Sequence, residues 1–234
     1  MTANNSANTS GARLAGTFVV IEALLSLAPL GILGPAIGWP ASLGNPAAQQ
    51  LAAIAAQPGA VAAGYGVYLL YSLLILPAMI LVTRHAAGDA NTALARIAIG
   101  FAVASMLARC IGILRWLTVM PVLAQAHGAA APEARATIEL LFSAVTLYGG
   151  GIGEVLGVSL LMSLSLGFAM AAAWQAGLAP AWLTLSGLVT ALALGALSLP
   201  ALGIAIRLPT AAPVSLLALW MIAFGVWLTL RPRR

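Results

Sequence analysis

Apolar runs of about twenty residues or more, the length needed to cross a bilayer as a helix, recur along the chain from Leu14 to Leu230, interrupted by short segments holding most of the charge. Such a run buried in lipid must satisfy every backbone N–H and C=O within itself or within a closed barrel. The runs are too long for barrel strands and lack their alternation, which leaves helices. The 234 residues are 62% hydrophobic and 6% charged, too little polarity to cover a water-soluble globule of this size. The expected fold is therefore an all-α, polytopic transmembrane helical bundle, embedded in membrane lipid as its first partner.

Six crossings are expected, over about 14–34, 59–82, 93–120, 150–173, 181–199 and 214–230, forming one domain over 13–234 behind a polar, disordered tail over 1–12. The first run is longer than the 7 to 15 residues typical of a signal-peptide core, so it reads as a retained helix. Pro29 is expected to kink its outer end. Asn45 and Pro46 have the chemistry of a cap and first turn for a short helix over 46–57, expected to lie along the outer interface. The apolar pattern of the third helix reaches Met120, and after a loop holding His127, Pro132, Glu133 and Arg135 it resumes at Ile138 and runs to Trp174. Both stretches exceed one straight crossing, so the third and fourth helices are expected to extend beyond the outer membrane surface as a hairpin carrying Glu133 and Glu139, with a break at Gly149-Gly150-Gly151 as the alternative.

Six crossings put both termini on one side. Arg13, Arg84, Arg96, Arg231, Arg233 and Arg234 then share that side, against Arg135 and Arg207 on the other, and the excess of Arg in short connections marks the first side as cytoplasmic. Trp39 and Trp116 fall at the outer interface and Trp174, Trp182 and Trp227 at the inner one, where amphipathic rings gather.

All ten basic residues are Arg, which removes chemistry needing a lysine amine. The net charge of +5 lies beside predicted spans, where orientation and anionic lipid explain it better than nucleic acid. Cys110 is single, and His85 and His127 fall on opposite sides with no ligand spacing, so neither a disulfide, a metal site nor a cofactor is expected. Small residues recur every four positions at Gly100, Ala104, Ala108 and Gly112, at Gly149, Gly153 and Gly157, and at Gly187, Ala191 and Gly195. Such ridges let helices approach closely, within the chain or in a homo-oligomer.

The charges left inside the apolar phase are the functional lead. Glu22 sits about eight residues into the first span, roughly 12 Å deep by helical rise, where an ionised carboxylate is costly. It is expected to stay neutral unless a cation or strong donor meets it. Arg109 and Arg115 fall in the outer half of the third helix, and Glu154 at similar depth in the fourth. Arg115 is placed to snorkel to water, whereas Arg109 keeps its charge at depth and should face the bundle interior, with Glu154 as partner. Tyr65, Tyr68 and Ser72 form a stripe on the outer half of the second helix, with Tyr148 nearby. Two readings fit this layer. One is a polar cavity open to the outer leaflet; the other is a buried ion pair fixing helix register, with the Tyr hydroxyls as anchors.

The order Arg13-Leu14-Ala15-Gly16, Gly38-Trp39-Pro40-Ala41-Ser42-Leu43, Gly64-Tyr65-Gly66-Val67-Tyr68-Leu69 and an Arg-bearing third helix resembles bacterial membrane proteins grouped as domain-of-unknown-function family 4386. The resemblance implies the bacterial inner membrane and transfers no activity and no site residues. The expected function is binding or transport of a small amphipathic or anionic molecule or lipid at Arg109, Glu154, Arg115, Tyr65, Tyr68 and Glu22. A membrane-embedded enzyme with Glu154 or Glu22 as acid or base is the weaker alternative, because no nucleophile or metal set accompanies them. A partner subunit using the glycine ridges is the third.

Overall fold

The computed structural model describes residues 2–88 and 92–231, with side chains described from Gly11 onward. The polar turn expected after Arg84 therefore lies partly outside the described residues, over 89–91, as do Arg233 and Arg234. Among the described residues the chain is helical with no strand: α1 (Thr2–Leu25), α2 (Ala28–Ile37), α3 (Ala47–Ala56), α4 (Pro58–Ala87), α5 (Ala93–Ala129), α6 (Pro132–Gly150), a π-helical segment (Gly151–Leu161), α7 (Met162–Ala176), α8 (Ala181–Ala196) and α9 (Ala211–Leu230). The backbone of α1 begins at Thr2, ahead of the start expected at residue 13; the side chains of the tail over 1–10 lie outside the described residues.

Among the described residues five stretches are long and apolar enough to cross a membrane: Gly11–Ile37, Pro58–Ala87, Ala93–Ala129, Pro132–Ala176 and Ala211–Leu230. The remaining expected crossing coincides with α8, whose 16 residues reach about 24 Å, short of the roughly 30 Å of a hydrocarbon core. The 37 residues of α5 correspond to about 55 Å, well beyond that core.

Local chemistry explains the boundaries. α1 ends at Leu25, the residue whose carbonyl would meet the ring of Pro29 four positions on, and α2 restarts with that proline in its first turn. Thr92 caps α5, its Oγ1 accepting a hydrogen bond from Ala95 N at 3.2 Å. Only Ala130 and Ala131 separate α5 from α6, so the loop expected around His127 does not form. His127 and Glu133 are helical, and His127 Nε2 pairs with Glu139 Oε1 at 2.8 Å, clasping the hairpin. At the triglycine the helix does not break. It passes from α to π winding while staying helical from Pro132 to Ala176.

By internal contacts the chain forms two compact units, Met1–Leu24 with Leu74–Leu107 and Val155–Arg234, and Leu25–Leu73 with Ala108–Glu154. The first has its own core, including Val19, Ile75, Met79, Leu166, Met170, Leu194, Met221 and Phe224. Here α1 and α9 run antiparallel in backbone contact. A Cβ on Gly16 would lie 2.5 Å from the Gly225 carbonyl oxygen and would also meet Thr229, and one on Gly225 would lie 2.6 Å from the Gly16 carbonyl oxygen. α7 and α8 also pair antiparallel, but through side chains, with Gly195 facing Ser163 and Gly187 facing Met170. Ser165 and Ser105 donate hydrogen bonds to the carbonyls of Ala98 and Gly157, at 2.9 and 2.8 Å, stapling the first part of α5 to the π segment and α7.

The second unit is built around Leu33, Leu51, Ile54, Tyr65, Trp116, Met120 and Phe142. The short helix α3 is part of this core. Leu51 and Ile54 are buried, and Gln50 Nε2 donates to the carbonyls of Leu43 and Asn45 at 3.2 and 2.7 Å. Its apolar face therefore meets protein, and Pro46 rather than Asn45 precedes its first turn. In the same unit Gly112 of α5 lies against Gly153, where an added Cβ would stand 2.6 Å from the Gly153 Cα and 2.9 Å from the Gly149 carbonyl oxygen. Gly100 faces open space.

Because the atoms facing Gly112 are backbone, no side-chain rotation can relieve a larger residue there. Gly112→Val should lower the detergent-solubilised unfolding midpoint by several degrees, corresponding to about 1–3 kcal/mol of overpacking. Gly100→Val should leave it within about a degree; equal shifts for the two would show that the close approach is not formed.

Candidate functional site

In the second unit, the first half of α4 carries Tyr65, Tyr68, Tyr71 and Ser72, while α5 carries Arg109, Arg115 and Trp116. Tyr65 stacks on Trp116, centroids 4.7 Å apart and planes within 3°, and Phe142 of α6 meets the same indole in an edge-type contact at 6.3 Å. Tyr68 bridges the rings of Trp39 and Tyr71, each at 6.0 Å. The rings form two groups, Tyr65–Trp116–Phe142 and Trp39–Tyr68–Tyr71.

One guanidinium group lies over each set of rings. Arg109, 3% exposed, donates from Nη1 to the Tyr71 hydroxyl at 3.4 Å and lies 5.8 Å from the centre of that ring. A guanidinium keeps its charge at any accessible pH, so aromatic faces and hydroxyls provide part of the polar environment a buried cation needs. Arg115 lies over Trp116 at 5.4 Å and donates from Nη1 to the Gly112 carbonyl. Its aliphatic stem passes so near Gly149 that a Cβ there would be 2.5 Å from Arg115 Cδ. The missing side chain at 149 thus makes room for the arginine.

Glu154 belongs to the same layer. Its carboxylate and the Arg115 guanidinium act on each other electrostatically, and the charges of Arg109, Arg115 and Glu154 all act on Tyr68. Of the set, Glu154 is exposed, Tyr68 and Arg115 are half-buried, and Tyr65, Tyr71, Ser72 and Arg109 are buried. The centre of the cluster is enclosed by protein, while Glu154 and part of Arg115 and Tyr68 stay accessible at its edge. Arg115 Nε, Tyr65 Oη, Ser72 Oγ and Thr146 Oγ1 are buried and have no protein hydrogen-bond partner.

The structure therefore brings Arg109, Arg115, Glu154, Tyr65 and Tyr68 into one unit, whereas Glu22, 1% exposed, lies in the other. Arg115 is half-buried, with Nη1 hydrogen-bonded to the Gly112 carbonyl. Tyr148, expected beside the cluster, is 76% exposed. Trp116, expected as an interfacial anchor, is 4% exposed and forms the floor under Arg115. Tyr71 was missed as a site residue, although it continues the three-residue step from Tyr65 through Tyr68. Among the described residues no group of three or more His, Cys, Asp or Glu converges as metal ligands would.

A family profile described as Domain of unknown function (DUF4386) matches residues 8–231. The chain belongs to the DUF4386 family. No curated protein and no solved structure matches it. DUF4386 membership, with five membrane-length apolar helices, makes this a multi-pass integral membrane protein, and the family's description assigns no activity.

The stacking predicts an asymmetry among the tryptophans of this DUF4386 protein. Trp116→Ala should lower the unfolding midpoint substantially, by a cavity cost of about 3–5 kcal/mol, and should release Arg115. Trp174→Ala, at a position 58% exposed, should be near neutral in the same melt.

Proposed function

We propose that this protein binds a small amphipathic molecule or lipid with an anionic head at the Arg115 face of the cluster, with Arg109 as the buried charge behind it. The observation that carries the reading is the imbalance of the layer. Two guanidinium groups share it with one carboxylate, and Arg115 Nε, Tyr65 Oη and Thr146 Oγ1 are polar atoms that no protein group satisfies. Buried donors without acceptors are costly, and the oxygens of a phosphate or carboxylate head meet both the charge and the hydrogen-bond demand. Tyr68 and Trp39 offer aromatic surface for the apolar part. An acid–base enzyme is less well supported, because neither Glu154 nor Glu22 is joined by a nucleophile or metal set.

Titrating dodecyl phosphate into protein held in dodecyl maltoside should raise the unfolding midpoint. Arg115→Gln, which keeps a hydrogen-bonding side chain, should weaken the effect about tenfold or more, while Arg207→Gln leaves it intact. A folded Arg115→Gln protein that responds as the wild type does would reject the reading.

The proposal includes a bacterial inner-membrane setting with both termini cytoplasmic. Supporting it, Arg84 lies in the last turn of α4, Arg96 in the first turn of α5 and Arg231 at the end of α9, against Arg135 and Arg207 at the opposite ends of their crossings. It requires α8 to cross, extended by the 3-10 turn Leu199–Leu202. In a Cys110→Ser background, cysteines placed at either terminus should both resist a membrane-impermeant thiol reagent in spheroplasts and react after lysis. Reaction of one alone would mean an odd number of crossings, with α8 not spanning.

A further inference from the structure

We propose a second binding site, for one anionic glycerophospholipid of the surrounding leaflet, in the groove between α8 and α9. The groove lies within the first unit, has a volume of about 420 Å³ and is lined by Trp182, Ala223, Val226, Trp227, Leu230 and Arg231. That volume falls in the range of small-molecule pockets. Its walls are apolar except at one end, and that end is charged.

Arg231 is held in place there. Its guanidinium lies 5.1 Å from the centre of the Trp227 ring, and Nη2 donates to the Leu178 carbonyl at 3.3 Å. One of its five N–H groups is used in that bond, and the rest remain to bind a phosphate bidentately. The charge is not isolated. Arg84 and Arg231 are the charged side chains that act on His85 among the described residues, and both are basic. The occupant is therefore chosen by charge complementarity, since a basic pocket between helices selects an anionic headgroup over a zwitterionic one.

The apolar part fits the same occupant. Trp182 is 57% exposed and Leu230 74%, on helices whose other faces pack in the core through the Trp220 Nε1 bond to the Leu183 carbonyl at 2.9 Å. Two indoles bracketing an apolar groove with a cation at its mouth match the order of a lipid at the interface: phosphate, glycerol, acyl chain. This site shares no residue with the Arg115 cluster and stands independently of it.

The test is native mass spectrometry of the full chain ejected from nanodiscs of equal phosphatidylglycerol and phosphatidylcholine. The wild type should retain phosphatidylglycerol preferentially. Arg231→Gln should reduce that preference roughly fivefold, the effect of about one basic residue at an anionic surface, and Trp227→Leu should reduce retention of the bound lipid. Arg207→Gln, at a position in neither site, should keep it, and the loss in Arg231→Gln should add to any loss caused by Arg115→Gln, which separates this site from the other. Equal retention of the two lipids by the wild type would overturn the proposal, as would an Arg231→Gln protein of unchanged preference. Should Arg231→Gln fail to fold, Arg231→Lys serves: weakened but surviving preference supports the site, and loss of discrimination by headgroup charge in the wild type still rejects it.

Discussion

At Gly112 one added carbon would stand 2.6 Å from the Cα of Gly153, so α5 and the helix that begins as α6 touch through their backbones. In lipid the side chains gain little by leaving their surroundings, and attraction between helices comes from dispersion at close range and from hydrogen bonds. The closeness of that contact is therefore a source of stability in itself. The same device joins α1 to α9 through Gly16 and Gly225. Where hydroxyls supplement it, as from Ser105 to the Gly157 carbonyl, they bond across helices to backbone groups already engaged in winding.

The polar cluster depends on this approach. Arg115 fits because residue 149 has no side chain, and its guanidinium remains over Trp116 because α6 closes on it with Phe142. Beyond the triglycine the winding becomes π, a form that recurs at functional sites, and it changes which face each following residue presents. Glu154 lies in that segment, in the electrostatic reach of Arg115. Aromatic rings then supply faces to two cations beside Glu154, an arrangement that costs less than bare burial in hydrocarbon.

Much of this architecture was legible because length and polarity act locally. The stretches expected over 14–34, 59–82, 93–120, 150–173 and 214–230 coincide with membrane-length helices, since any run that must pair its own backbone becomes helical wherever it lies. α8 is the marginal case, as Pro180 at one end and the turn beginning near Leu197 at the other limit it to 16 residues. The errors fall where a residue has two lodgings of similar polarity. Trp116 reads equally as an interface anchor or as a core ring, and the amphipathic face of α3 fits either a headgroup layer or a protein groove. The choice in both cases was made by a neighbour distant in sequence, Tyr65 for the indole and α6 for the helix.

Sequence alone determined that the chain is helical, that lipid surrounds it, and that Arg109, Arg115 and Glu154 fall at comparable depth, because helical rise converts residue number into distance. It could not determine azimuth. Which way Arg109 points around α5, that it meets the Tyr71 hydroxyl, that Arg115 lies against Gly149, and that Glu22 belongs with a different unit follow from the helix pairings. Those pairings are decided by the fit of whole faces, so only the tertiary structure contains them.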